Sequence, residues 1–247
     1  MIKEYKPVVT IILIVINVAI FLLETAAGGS ENVEIAMRFG AQYTPYILQD
    51  GKWYLLFTSM FVHFGINHLA SNMLALMALG YHAEFYFGKI RYLIIYILSG
   101  ICGSVLSLVM ELYSLQYAVS AGASGAICGL IGTLLIFAFD PATKKQFPLR
   151  RVIAGIVLIL IPTGENINYA AHIGGMIGGF LVAYTIYYFM KKNGTFIEKI
   201  YSPEELYQMN EERPGMGNSV EDYYNAARSF NGNHNPYEDN DPYNLNK

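Results

Sequence analysis

Six long stretches of the sequence carry almost no charge, and this pattern constrains the fold more than any other feature. An α-helix needs about 20 apolar residues to cross a bilayer. Each stretch is near or somewhat below that length, and hydrophobic residues make up 54% of the chain. We therefore expect an all-α, polytopic membrane protein with six transmembrane helices. The stretches are residues 7–23, 55–79, 92–112, 124–139, 152–162 and 169–190.

Lysine and arginine residues predict how these stretches are oriented. With the N-terminus inside, the inner segments up to residue 192 carry ten of these residues and the outer loops carry two. The positive-inside rule then places both termini in the cytoplasm of a multi-pass protein of the cell membrane. Residues 24–54 become an external loop, and its Tyr43, Tyr46 and Trp53 are typical of the membrane interface. The first stretch is longer than the ~7–15 apolar residues of a cleavable signal, so we expect it to be retained.

The last part of the chain has a different composition. Residues 201–247 contain nine acidic residues against three lysines and arginines, and they are rich in Asn, Tyr, Gly and Pro. Segments of this kind bury too little apolar surface to fold alone. We therefore predict a membrane domain over residues 1–200 and a disordered, acidic cytoplasmic tail over residues 201–247.

Several functional classes are excluded by what the sequence lacks. The net charge of −3 gives no indication of a nucleic-acid partner, and no CxxC pair or Cys/His cluster indicates a metal. No Lys, Arg or Asp interrupts an apolar stretch, which excludes a serine–lysine protease and an aspartyl intramembrane protease. The HExxH motif of a zinc protease is also absent. Cys102 and Cys128 lie within apolar runs, so we predict that both are reduced core residues, with a disulfide between them as the alternative.

Polar side chains within the apolar stretches are the functional candidates, because such groups are costly in a bilayer. Among them we single out His63, His68, Asn72, Ser124 and His172. Counting ~1.5 Å per residue from the cytoplasmic helix ends places His68, Ser124 and His172 at heights of about 24, 24 and 28 Å. This common depth, a little below the outer face of a ~30 Å core, indicates a single site.

Ser124 opens a stretch that is too short to cross the bilayer fully. Its helix should begin below the outer surface, after a descending loop of a kind tolerated only inside protein or beside water. At a helix N-terminus the backbone N–H groups are unpaired and the dipole favours negative charge. A serine placed there is suited to nucleophilic attack, with the oxyanion stabilised beside it.

A base for this serine must approach to ~2.6–3.2 Å, which requires closely packed helices. Small residues at short spacing provide such a contact on both stretches. We predict that this packing brings His172 against Ser124 as a dyad, because the nearest acidic residue, Glu165, lies in the preceding loop. The small residues are Gly125, Gly129 and Gly132 in one stretch and Ala171, Gly175 and Gly179 in the other.

His68 and Asn72 are four residues apart and share one helix face. Helical side chains lean toward the helix N-terminus, so the Asn72 amide should reach toward the level of Ser124. We predict that both side chains, together with the Ser124 backbone N–H, donate hydrogen bonds to the oxyanion. We interpret His63 as a structural residue that supports the external loop.

At these residues the sequence resembles the rhomboid intramembrane serine proteases. The matching motifs occur in the family's order and extend over about residues 7–190. They are GASG at 122–125, AHIGG at 171–175, the spacing of His63, His68 and Asn72 in HFGINHLASN, and GxxxExxxG at Gly80, Glu84 and Gly88.

The resemblance implies a six-transmembrane-helix rhomboid-like bundle that cleaves single-pass transmembrane proteins near the outer side of the bilayer, among membrane lipids and without a cofactor. Ser124 would be the nucleophile and His172 the general base, with His68 and Asn72 as oxyanion donors. Two positions depart from the family pattern. Tyr54 stands where many members have arginine, and Cys128 stands where many have an aromatic ring that packs on the histidine.

Two other functions are compatible with parts of the pattern. A rhomboid-like protein can bind transmembrane clients without cleaving them, although such proteins generally lose the serine or the histidine. A transporter or channel would favour carboxylates or polar groups at the bilayer midplane, whereas His68, Ser124 and His172 are placed near the outer face. Taken singly, Ser124 and His172 would each be a packing or interfacial residue. Their joint depth, order and spacing favour the protease.

Deletion of residues 201–247 is expected to leave cleavage of a transmembrane substrate unchanged, because the predicted tail carries no catalytic signal. Cleavage by the full and the shortened chain in liposomes measures this. Complete loss of cleavage in the shortened chain would contradict a passive tail.

Overall fold

The computed structural model describes residues 5–160 and 167–196. Within these ranges every regular element is a helix, and the β pairing is limited to an isolated bridge between Gln42 and Ser120. This confirms the all-helical class predicted from the sequence. The helices are α1 (Val8–Ala27), α2 (Val33–Arg38), α3 (Thr44–Gln49), α4 (Leu55–Thr58), α5 (Gly65–Phe87), α6 (Lys89–Ser114), α7 (Ser124–Phe139), α8 (Leu149–Leu160) and α9 (Tyr169–Lys192), with a 3₁₀ turn at Ser59–Phe61.

Three of the described helices, α1, α6 and α9, are both long and apolar enough to cross a membrane. Helix α7 is apolar but has only 16 residues, in agreement with the short stretch seen in the sequence. The predicted stretch 152–162 lies partly outside the described residues, and the predicted tail 201–247 lies wholly outside them. The count of six spans therefore stays a prediction.

The chain divides into two compact units. One is formed by Pro7–Tyr184 and contains all the predicted site residues. The other comprises Met1–Lys6 and Thr185–Lys247. In the described part of this second unit, the rings of Tyr187 and Phe196 meet edge-on with their centroids 4.9 Å apart.

The second apolar stretch is not one continuous helix. The sequence pattern treats residues 55–79 as a single segment, but α4 and the 3₁₀ turn occupy its first part and α5 starts only at Gly65. Gly65 has a φ of 79°, a conformation that glycine adopts without steric cost. The chain therefore changes direction there, which places His63 in the connection before α5 and His68 in the first turns of α5.

The segment between α1 and α4 is folded against α6. Ile47 and Leu55 are buried in one cluster with Leu108 of α6. Nearby, the Thr44 hydroxyl donates a hydrogen bond to the Glu111 carboxylate of α6 at 2.6 Å. The predicted external loop is thus an ordered part of the molecule that carries α2 and α3.

Helices α1, α5 and α6 meet around a buried carboxylate. Glu84 of α5 is fully buried and accepts hydrogen bonds from the backbone N–H groups of Val9 at 3.0 Å and Thr10 at 2.8 Å, and from the Thr10 hydroxyl at 2.8 Å. These N–H groups are the otherwise unpaired donors at the start of α1, where the helix dipole favours a negative charge. One turn earlier, a Cβ on Gly80 would lie 2.6 Å from the Tyr92 hydroxyl, so glycine there leaves room for the Tyr92 side chain of α6.

A single residue connects α5 to α6. Gly88 has a φ of 78°, and its N–H donates to the carbonyl of Glu84 at 2.8 Å. The GxxxExxxG motif therefore places a close-packing glycine, a buried acceptor and a turning glycine on successive turns at one end of α5.

Replacing Glu84 by alanine should lower the free energy of unfolding by about 3 kcal/mol, because buried N–H donors at the start of α1 lose a charged acceptor. Thermal unfolding in detergent measures the change. Glu34→Ala, at an exposed position on α2, is the matched control and should unfold near the wild-type temperature. An unchanged melting temperature in Glu84→Ala would show that the carboxylate does not hold α1 in place.

Candidate active site

Three helices begin at the wall of one cavity. Ser124 is the first residue of α7, His68 is the fourth of α5, and His172 is the fourth of α9. Their side chains and that of Asn72 line a cavity of about 1260 Å³. The four residues for which the sequence predicted a catalytic or oxyanion role are therefore brought to a common space near the N-terminal ends of these helices.

Helices α7 and α9 approach each other to backbone contact. A Cβ on Gly125 would lie 3.4 Å from the carbonyl oxygen of Ala171, and a Cβ on Gly175 would lie 2.7 Å from the carbonyl carbon of Gly125. The predicted contact between small residues is thus confirmed. Because Ser124 precedes Gly125 and His172 follows Ala171, this contact also holds the serine and the histidine at the same cavity.

Helix α6 packs against the same contact between α7 and α9. A Cβ on Gly103 would lie 2.5 Å from the carbonyl oxygen of Ala171. A Cβ on Gly179 would lie 2.6 Å from both the carbonyl oxygen of Gly129 and the hydroxyl of Ser99 on α6. Three helices therefore share a seam in which a single added methyl group would force a backbone apart.

Gly122 leaves room for the His68 ring next to Ser124. Its φ is 130°, which favours glycine. A Cβ there would lie 2.7 Å from Cε1 of His68 and 3.8 Å from Oγ of Ser124. The imidazole and the hydroxyl therefore border one small volume, and Ser124 itself is half-buried.

His172 is held by its backbone and by a neighbouring ring. Its N–H donates to the carbonyl of Asn168 at 3.2 Å, which closes the first turn of α9. The buried Nδ1 has no hydrogen-bond partner among the described residues, whereas Glu165 lies outside them. The ring of Tyr169 meets the imidazole edge-on, with centroids 6.4 Å apart.

Asn72 is fixed to the turn that precedes it. Its Nδ2 donates to the carbonyl of His68 at 2.8 Å, and only 6% of the residue is exposed. The bond uses one of the two amide protons and tilts the side chain toward the N-terminal end of α5. The amide is thus oriented toward the end of the helix at which Ser124 lies.

His63 is joined to the loop that precedes Ser124. Its Nε2 accepts a hydrogen bond from the Ala123 N–H at 3.3 Å, and its ring centroid is 5.1 Å from that of His68. The His63 N–H donates to the buried carboxylate of Glu24 on α1 at 3.4 Å. His63 therefore supports the loop that leads into Ser124, a contact that the sequence pattern did not indicate.

Two residues beside His172 were not singled out by the sequence patterns. They are Asn168, whose Oδ1 accepts the Ala171 N–H at 2.9 Å, and Tyr169. An asparagine directly before an apolar helical run is a common helix N-cap, so the sequence did contain a signal for Asn168. Tyr169 lies three residues before the histidine, a spacing at which helical side chains meet.

Cys128 lies one turn after Ser124 and lines the cavity. It is buried, and both it and Cys102 are free thiols, as predicted. At this position the resemblance leads one to expect an aromatic ring against the histidine. The ring that meets His172 comes instead from Tyr169, on the histidine's own helix.

Comparison with known proteins gives consistent matches. A family profile described as Rhomboid domain matches residues 50–189. Rhomboid protease GluP of Bacillus subtilis is 40% identical over 203 residues, which cover 80% of this chain and 38% of that protein. Rhomboid protease AarA of Providencia stuartii is 30% identical over 199 residues, 70% of each protein. RHOMBOID-like protein 6, mitochondrial, of Arabidopsis thaliana is 33% identical over 156 residues, which cover 60% of this chain and 48% of that protein.

The extent of these matches decides what they show. The profile covers more than half of the chain, and AarA is matched over more than two thirds of its length. The chain spans less than half the length of GluP and of the plant relative. With the three long apolar helices α1, α6 and α9, these matches identify the chain as a multi-pass membrane protein that belongs to the rhomboid family.

Proposed function

We propose that this protein is an intramembrane serine endopeptidase in which Ser124 and His172 form a catalytic dyad. The observation that carries the proposal is the cavity that both side chains line, together with His68 and Asn72. Membership of the rhomboid family supports it, and two of the similar proteins, GluP and AarA, are named rhomboid proteases.

The first step is attack by Ser124 on a peptide carbonyl carbon. The His172 imidazole accepts the hydroxyl proton as the new C–O bond forms, since an unassisted serine is a weak nucleophile. The backbone contact between Gly125 and Gly175 supports this pairing because it keeps α7 and α9 at a fixed separation. The dyad follows the sequence pattern, in which the acidic residue closest to His172, Glu165, precedes α9 by four residues.

The negative charge on the carbonyl oxygen is stabilised at the start of α7. The Ser124 backbone N–H is one donor there, and the positive end of the helix dipole adds to it. The Asn72 amide and the His68 imidazole, at the wall of the same cavity, supply side-chain donors. Donors held in place before the reaction need no reorganisation when the charge develops.

Collapse of the tetrahedral intermediate gives an acyl-enzyme and the free amine of the leaving segment, which takes its proton from His172. A water molecule then attacks the ester while His172 accepts its proton. The acid product leaves and the Ser124 hydroxyl is restored. Ser104, Ser107 and Ser120 add polar groups to the cavity wall and favour entry of this water.

We assign single-pass transmembrane proteins as the substrates. The site lies at the N-terminal ends of α5, α7 and α9, and the distribution of lysine and arginine places these ends on the outer side of a cell membrane. Both chain termini are then cytoplasmic. Cleavage therefore occurs near the outer side of the bilayer, where membrane lipids surround the bundle.

Client binding without cleavage is the competing function. The presence of both Ser124 and His172 at one cavity favours cleavage, because a binding protein needs neither group. A serine-directed fluorophosphonate distinguishes the two functions, since it reacts only with an activated hydroxyl.

Ser124→Ala and His172→Ala are each expected to abolish cleavage of a transmembrane substrate in liposomes and labelling by a fluorophosphonate, because each removes a reacting group. His82→Ala is the control, since His82 packs against Phe147 and does not line the cavity. Cleavage by either dyad variant, with the control active, would disprove the assignment. A wild-type protein that binds substrate but neither cleaves nor labels would favour client binding.

Asn72→Ala should lower kcat by about 10²–10³-fold, the usual loss for one oxyanion donor. A smaller loss would mean that His68 compensates, and the double variant Asn72→Ala, His68→Ala then shows the full effect. Melting temperatures of all three variants separate this loss from unfolding. A near-normal rate in the folded double variant would remove both residues from the oxyanion role.

A further inference from the structure

The loop that leads into α7 is fixed to the rest of the molecule at Ser120. The backbone N–H of Gln42 donates to the Ser120 carbonyl at 2.8 Å, and the Ser120 N–H donates to the Gln42 carbonyl at 2.9 Å. The side chain of Gln42 in turn donates from Nε2 to the Ser104 carbonyl of α6 at 3.0 Å. Ser120 therefore has a defined position four residues before the nucleophile.

Asn168 occupies the matching position before His172 on α9. Its carbonyl oxygen accepts the His172 N–H at 3.2 Å, and its Oδ1 accepts the Ala171 N–H at 2.9 Å. Its backbone and its side-chain oxygen are thus both bound to the first turn of the histidine helix. This capping fixes the direction in which the Nδ2 group points.

The Nδ2 group donates to two serine hydroxyls on other elements. One is Ser120 Oγ, at 2.9 Å, in the loop before α7, and the other is Ser107 Oγ, at 2.6 Å, on α6. One side chain therefore links the start of the histidine helix directly to the nucleophile's loop. All three residues also line the cavity.

We infer that Asn168 is a positioning residue that sets the separation of Ser124 and His172 through its bond to Ser120. The inference rests on the proposed protease function. Ser124 and His172 each lie four residues after one partner of the Asn168–Ser120 bond, so the bond fixes the two attachment points of the dyad relative to each other. A serine–histidine pair works only within ~2.6–3.2 Å, and a misplacement of about 1 Å costs about 10²-fold in rate.

The helix-capping role and the positioning role of Asn168 are separated by Asn168→Ser. Serine is as good an N-cap as asparagine, so α9 keeps its start. Its side chain is too short to keep the bonds to Ser107 and Ser120. We expect kcat for a transmembrane substrate to fall by about 10–10²-fold with KM and the melting temperature unchanged. The rate of fluorophosphonate labelling, which reports the activated serine without a substrate helix, should fall in parallel.

Variants of the two acceptors identify which bond matters. Ser120→Ala removes the bond to the nucleophile's loop and should reproduce the loss in kcat. Ser107→Ala removes only the bond to α6 and should have a smaller effect. The double variant Asn168→Ser, Ser120→Ala should be no slower than Asn168→Ser, because both changes delete the same interaction.

The outcomes distinguish this inference from the function on which it rests. Wild-type kcat in Asn168→Ser or in Ser120→Ala, with cleavage abolished in Ser124→Ala, would overturn the positioning role and leave the protease intact. A loss that follows the melting temperature, or that adds fully in the double variant, would also overturn it. Absence of both cleavage and labelling in the wild-type protein would overturn the proposed function instead, and the inference with it.

Discussion

The backbone contact between α7 and α9 is the constraint on which the rest of the site depends. Between helices in lipid there is little hydrophobic driving force, so association relies on close van der Waals packing and polar contacts. The glycines on both helices allow the peptide groups themselves to touch, as the contact of Gly175 with the Gly125 carbonyl shows. Ser124 and His172 are each adjacent in sequence to a residue of this contact, so the contact also fixes where their side chains start.

The loop before α7 depends on a second set of contacts. It runs as irregular backbone toward the cavity, a conformation that survives at membrane depth only when its polar groups are bound inside the protein. Ser120 pairs with Gln42, the Gly122 N–H donates to the Ser59 carbonyl at 2.9 Å, and the Ala123 N–H donates to His63. Three residues of the loop are thus attached to different parts of the chain. These bonds hold the start of α7, and with it the Ser124 hydroxyl, although no regular helix or strand leads into it.

Local sequence patterns were sufficient for the features that a single helix encodes. The apolar stretches predicted most helices, the spacing of His68 and Asn72 predicted their shared face, and the small residues at short intervals predicted the seam of α7 and α9. Each of these depends on helical periodicity, which is visible in the order of the residues.

Features that depend on contacts between distant segments could not be predicted from those patterns. Asn168 bonds to residues 48 and 61 positions away, and neither distance follows from any local period. The delayed start of α5 at Gly65 was missed because no Lys, Arg, Asp or Glu divides residues 55–79, whereas the turn is determined by backbone conformation. The ordered loop that carries α2 and α3 was missed since its stability comes from contacts with α6.

The cavity wall also has a consequence for biosynthesis. Its residues extend from Val33 in α2 through α5, α6 and α7 to His172 near the start of α9. Synthesis therefore completes α5, α6 and α7 before α9. Until α9 packs against Gly103 and Gly125, the cavity lacks the wall that carries His172, so the site takes its shape only late in biosynthesis.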